Sequence, residues 1–148
     1  MEGEQSPSGR DEKMALKITL KPNERLIIDG AVITNGGSTC SLLIDNNVPI
    51  LRQKDIMRER DADSPSRRIY FVIQLMYIDT QNLTKYQETY WKLIDELVEA
   101  APRTLGLVDQ ISEHIICNRY YQALKLAKQL IYFEEEVLNH VCESTAGI

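Results

Sequence analysis

Side chains able to do chemistry are few in this 148-residue chain, and their spacing narrows what that chemistry is. The histidines are His114 and His140. His114 and Cys117 would share one face of a helix, but a zinc site needs three or four ligands, so the pair reads as structural. Gly30, Gly36 and Gly37 sit in short turns rather than in a phosphate-cradling loop. No Ser, Cys or Lys has an activating partner at a recognisable spacing. An enzyme, a metal site and a cofactor are therefore not expected. What remains is cationic. Lys17, Thr19 and Lys21 alternate with Ile18 and Leu20, so on a strand they project to one side, and Arg25, Arg52 and Lys54 fall on neighbouring segments. Cations at that spacing can follow a phosphate backbone. The same part of the chain has no aromatic residue on which bases would stack. The residues alone make a non-enzymatic adaptor or regulator the default reading, and RNA binding the sharper one.

The elements that must carry these residues change character at Ser64. Residues 14–63 read as a β domain, because short apolar alternations are separated by Pro22-Asn23, Asp29-Gly30, Asn35-Gly36-Gly37 and Asp45-Asn46-Asn47 turns. Turns so closely spaced imply a small antiparallel sandwich or open barrel. Ser64-Pro65 is an N-cap followed by a first-turn proline. From Ile69 to Ile78 only Gln74 is clearly polar, which predicts a core helix wedged between the two halves. Period 3.6 then predicts helices over about 82–100 and 104–117, and a last one from about 120 that fades after Glu134-Glu135-Glu136. That acidic run reads as a solvated helix face, and Tyr86, Tyr90, Trp91, Tyr120 and Tyr121 as core or half-buried aromatics. The expected class is α+β: a leader 1–13 without order, the β domain, a bundle of about four helices over 64–140, and a flexible tail 141–148.

Arg67 and Arg68 do not fit a purely structural helix start. They stand in the first turn, where the helix dipole disfavours cations. Either they pair locally with Asp61 and Asp63, or they face an anionic partner.

Composition fits an ordinary globular protein, with 43% apolar and 26% charged residues. Cys40, Cys117 and Cys142 form no CxxC pair, which suggests a reducing, cytoplasmic setting, and no membrane-length apolar run occurs. The net charge of −5 is uneven. Residues 14–68 hold 9 basic against 7 acidic side chains, while residues 69–148 hold 6 against 11. Overall acidity argues against a nonspecific nucleic-acid coat but leaves room for a local basic surface.

Three stretches resemble the FlbT family of flagellum biosynthesis repressors: residues 14–36 around Lys21-Pro22-Asn23-Glu24-Arg25-Leu26-Ile27-Ile28, residues 48–56 around Val48-Pro49-Ile50-Leu51-Arg52-Gln53-Lys54, and residues 64–78 from Ser64-Pro65-Ser66-Arg67-Arg68 onward. The resemblance implies a cytoplasmic post-transcriptional regulator that associates with the 5′ untranslated region of flagellin mRNA and lowers its translation and lifetime. It also implies a functional link with the flagellin regulator FlaF. The β half is similar, in addition, to the small translational repressor CsrA. That family binds message leaders through its first strand and an arginine ending its last strand. The matching positions here are Lys17 and Thr19 with Arg52, although the spacing after Arg52 differs by one residue. This second likeness implies a strand-paired homodimer or a higher oligomer. The candidate RNA-binding set is then Lys17, Thr19, Lys21, Arg25, Arg52, Lys54, Arg67 and Arg68. The competing reading is a flagellar adaptor or chaperone-like regulator that affects the message only indirectly.

Overall fold

Alternation of apolar residues from Leu16 onward sets the first half of the fold. The computed structural model describes residues 16–146, with side chains as far as Val137, so the expected leader 1–13 lies outside the described residues. Strands β1 (Leu16–Leu20), β2 (Arg25–Ile28), β3 (Ala31–Thr34), β4 (Cys40–Ile44) and β5 (Ile50–Arg52) come first. Helices α1 (Pro65–Ile78), α2 (Leu83–Ala100), α3 (Leu105–Ile116) and α4 (Tyr120–Ala146) follow. The class is α+β, as the patterning predicts.

The strands form two open antiparallel sheets, β1–β4 and β3–β2–β5. Ile18, Leu20 and Leu26 are the buried centre of their core, with Ile28, Leu42, Ile44 and Ile50 packed around them. Burying Ile18 and Leu20 of β1 leaves the alternate residues Lys17 and Thr19 outward. The β2–β3 hairpin turns at Asp29 and Gly30 with φ of 49° and 87°. Positive φ at both central residues is the type I′ pattern that an Asp-Gly pair favours.

The chain divides into two compact units at Ile56/Met57, earlier than the Ser64 that the change in composition marks. The physical cause is Gln74, the one polar residue of the apolar run. Its side chain is 3% exposed, accepts from the Met57 N–H at 2.8 Å and donates to the Met57 carbonyl at 2.9 Å. This amide pair fastens the segment after Ile56 to α1.

Within the helical unit α1 packs on α2 and α4, and α3 packs on α4. Ile69, Val72, Ile73 and Met76 are buried, while Phe71, Leu75 and Ile78 are half-buried. The Ser64 hydroxyl accepts from the Arg67 N–H at 3.3 Å, with Pro65 at the first helical position. Asn118, with φ 61°, ends α3. Its N–H donates to the Ile115 carbonyl at 3.0 Å and the Arg119 N–H to the His114 carbonyl at 2.8 Å, which is the Schellman arrangement. Tyr90 is fully buried, its hydroxyl 2.8 Å from the Ser112 hydroxyl, and burial pushes its pKa up to about 12. α4 continues to Ala146, well past the point where its apolar period weakens.

Candidate nucleic-acid interface

The β unit brings most of the sequence-predicted cations together. Lys17 and Thr19 are exposed on β1, opposite Leu43 and Ser41 of β4. Lys21 follows directly at the strand end. Arg52 ends β5 opposite Leu26, and directly opposed residues project to the same face of a sheet. Arg52 therefore leaves its sheet on the side of the core, and at the open end its Nη2 reaches the Thr19 carbonyl of the other sheet at 3.4 Å. That contact places the guanidinium beside the outward residues of β1. Two residues further on, Lys54 lies in a short 3-10 turn, Gln53–Asp55.

Lys21 and Lys54 both line an open cleft of 510 Å³ whose other walls are Pro22, Asn23, Glu24 and Gln53. Its backbone is held from several directions. The Lys21 N–H donates to Glu24 Oε1 at 2.8 Å, the Glu24 N–H to the Lys21 carbonyl at 3.0 Å, and the Arg25 N–H to Gln53 Oε1 at 2.6 Å. Asn23 holds a φ of 66° and donates its N–H to the Asn35 carbonyl at 2.7 Å.

Asn35 is the residue that sequence reasoning missed. Its amide nitrogen lies 3.0 Å from the Leu20 carbonyl, 3.1 Å from that of Lys21 and 3.0 Å from that of Ser38, and its Oδ1 accepts from the Gly37 N–H at 3.0 Å. It buckles the end of β1 to the β3–β4 loop. An asparagine before Gly-Gly signals a turn, but nothing local signals a clamp on a distant strand.

None of Lys17, Lys21, Arg25, Arg52 and Lys54 forms an ion pair with a carboxylate among the described residues. Arg25 stands on β2 opposite Thr34, exposed, and does not line the cleft. Arg58 and Arg67 of the helical unit behave differently. Arg67 donates to Asp63 Oδ1 at 3.2 Å and to Glu135 Oε2 at 2.7 Å, whereas Asp61 pairs with Arg58 at 3.1 Å. Arg67 is thus engaged by carboxylates, and the Glu134–Glu136 run is only partly a solvated face. Glu134 Oε2 accepts from the Ser66 N–H at 3.2 Å, bringing negative charge to the start of α1 where the dipole favours it. Arg68 is exposed on the same helix, with no ion pair among the described residues.

Cys40 and Cys117 are free and exposed, whereas His114 has a structural partner. His114 Nδ1 accepts from Arg119 Nε at 3.0 Å. The described residues include no group of three or more His, Cys, Asp or Glu side chains placed to hold a metal ion, and no helix long and apolar enough to cross a membrane. What the β unit offers is a group of cations without carboxylate partners among the described residues, with amide groups at one end, a surface suited to a phosphodiester chain.

Residues 16–138 match the family model of flagellar protein FlbT. A Caulobacter vibrioides protein named flagellum biosynthesis repressor protein FlbT is 37% identical over 136 residues, which cover 90% of this chain and 96% of that one. Proteins of Rhodopseudomonas palustris and Bradyrhizobium diazoefficiens, named as probable repressors of the same kind, are 40% identical over 126 residues and 42% over 125. Those matches cover 85% and 84% of this chain, and 99% and 85% of the relatives. No solved structure matches the chain significantly.

Proposed function

The chain belongs to the FlbT family of flagellar proteins, and from that premise we propose that it regulates flagellum synthesis by binding the 5′ untranslated region of flagellin mRNA. The observation that supports this reading is the contrast between the two units. Among the described residues Lys17, Lys21, Arg25, Arg52 and Lys54 of the β unit have no carboxylate partner, while Arg58 and Arg67 of the helical unit do. Cations without a carboxylate partner need break no ion pair when they meet phosphate. The names of the relatives, repressors of flagellum biosynthesis, give the direction. Occupying the leader would block ribosome entry or hand the message to decay enzymes, so the protein acts in the cytoplasm by binding and without catalysis. Pairing of β strands between two copies would double the cationic surface.

Filter binding or gel shift with a flagellin leader, at several salt concentrations, tests the reading. For a single strand, log K should fall against log salt with a slope of about −0.7 per phosphate contact. Lys17→Glu combined with Arg52→Glu should abolish binding, and unchanged binding would remove the site assignment. A second reading has its own support: Ile116 is 69% exposed, Tyr132 60% and Trp91 39%, apolar surface suited to a protein partner. If RNA affinity emerges only when a protein such as FlaF is added, that docking role is the primary one.

A further inference from the structure

The cleft between the Lys21–Glu24 turn and the Gln53–Lys54 turn is not needed for a protein that only tracks a phosphate backbone. Its 510 Å³ lies within the range of about 300–1,000 Å³ typical of small-ligand sites. Three kinds of group meet there. Lys21 and Lys54 bring ammonium groups with no carboxylate paired to either among the described residues. Pro22 brings an apolar ring. Asn23, Glu24 and Gln53 bring donors and acceptors side by side: the Asn23 carboxamide, the Gln53 Nε2 and the second oxygen of Glu24 make no hydrogen bond to another described residue.

A bare anion would use the lysines and be repelled by Glu24. A peptide carboxylate would do the same. A nucleotide uses all three kinds of group: its phosphate meets the ammoniums, its ring lies on the proline, and its edge pairs with the amides. A carboxylate acceptor beside amides favours a base that carries an exocyclic amino group, since an amino N–H can donate to it. Uracil has no such group. Sequence-specific RNA recognition works mostly on unpaired, splayed-out bases of this kind. Hydrogen bonds of Lys21, Glu24, Arg25 and Asn23 tie the backbone of its walls together without a ligand. Preorganisation lowers the ordering cost of binding.

We propose that this cleft receives one unpaired, amino-bearing nucleotide of the bound message and supplies base selectivity to the cationic strand beside it. The inference rests on the RNA-binding reading above. It adds Asn23 and Gln53 as specificity-determining residues, neither of which belongs to the cationic set.

The test uses the full chain, the flagellin leader RNA and versions of it with each unpaired nucleotide changed to uridine in turn. One position should weaken binding roughly tenfold, in line with the value of a good bidentate base contact. Asn23→Gly keeps the left-handed backbone and removes the amide, and Gln53→Glu keeps the acceptor that holds the Arg25 N–H and removes the Nε2 donor. In both variants the uridine effect at that position should vanish, read as the ratio of affinities for the wild-type and uridine-substituted leaders, because the carboxylate of Gln53→Glu beside Lys21 and Lys54 should also lower overall affinity. If both variants keep the wild-type base preference, the cleft assignment is overturned and the RNA-binding reading stands. If the wild type binds none of the RNAs, both fall together. Chemical shift changes at Asn23 and Gln53 on adding a free nucleoside monophosphate, saturating below its affinity as part of RNA, would assign the cleft to soluble nucleotide and overturn the proposal.

Discussion

Arg67 and Glu135, 68 positions apart in sequence, meet at 2.7 Å, and that contact accounts for an arginine in the first turn of a helix. The dipole disfavours a cation there, and two carboxylates, Asp63 and Glu135, offset it. The pair is one third to one half exposed, so solvent screens it. Arg67→Ala should lower stability by no more than about 1 kcal/mol in urea denaturation. A double-mutant cycle with Glu135→Gln should recover a coupling of the same order. RNA affinity of Arg67→Ala should match wild type; a clear loss would show that Arg67 faces phosphate.

The Gln74 clamp is a second test of stability. Gln74→Leu fits an apolar helix but leaves the Met57 N–H and carbonyl without their partner. We expect a loss of about 1 kcal/mol, the net worth of a hydrogen bond at a partly buried site. Unfolding followed by tryptophan fluorescence would report it, since Trp91 lies in the same unit.

Acid should loosen the start of α2 through Asp79. The Tyr86 hydroxyl at 2.7 Å, and then Asn82 Nδ2 at 3.0 Å, hold the Asp79 pKa below its ordinary 3.8. The folded value is depressed, so the stabilisation is fully present above 3.8 and is lost as pH falls through the folded pKa. Asp79→Asn or Tyr86→Phe should flatten the acid limb of a Tm-against-pH curve below about pH 4 and leave the neutral region with a small uniform offset.

Asn35→Ala should disturb the β unit alone. It removes the amide that joins the end of β1 to the β3–β4 loop. Hydrogen exchange at Leu20, Lys21 and Gly37 should speed up, while amides of α1 to α4 keep their protection. Uniform acceleration across both units would contradict the division at Ile56/Met57.

Single neutralisations sort the cations of the candidate interface. Lys17→Ala and Lys54→Ala should each reduce the salt slope of RNA binding by about 0.7 if each contacts one phosphate. Arg25→Ala, off the cleft, should reduce it less. Arg68→Ala isolates the remaining exposed arginine of α1, and a reduced slope would extend the interface to the helical unit.

Much of this protein is determined by local sequence, because periodicity and turn chemistry act over a few residues. The I′ turn at Asp29-Gly30, the cap at Ser64-Pro65, the Asn118 helix stop and the four helical segments are all legible that way, as is the outward alternation of Lys17 and Thr19. The tertiary structure decided what depends on meetings between distant residues. Whether Arg67 is free or paired, that Gln74 draws Met57 to the helices, and that Arg52 reaches Thr19 are all set by long-range packing. The same holds for the cleft of Lys21, Asn23, Gln53 and Lys54, whose walls stand about 30 residues apart in the chain and meet only because β2 lies beside β5. Charge and pattern show which groups are present; only the sheet pairing shows which of them share a surface.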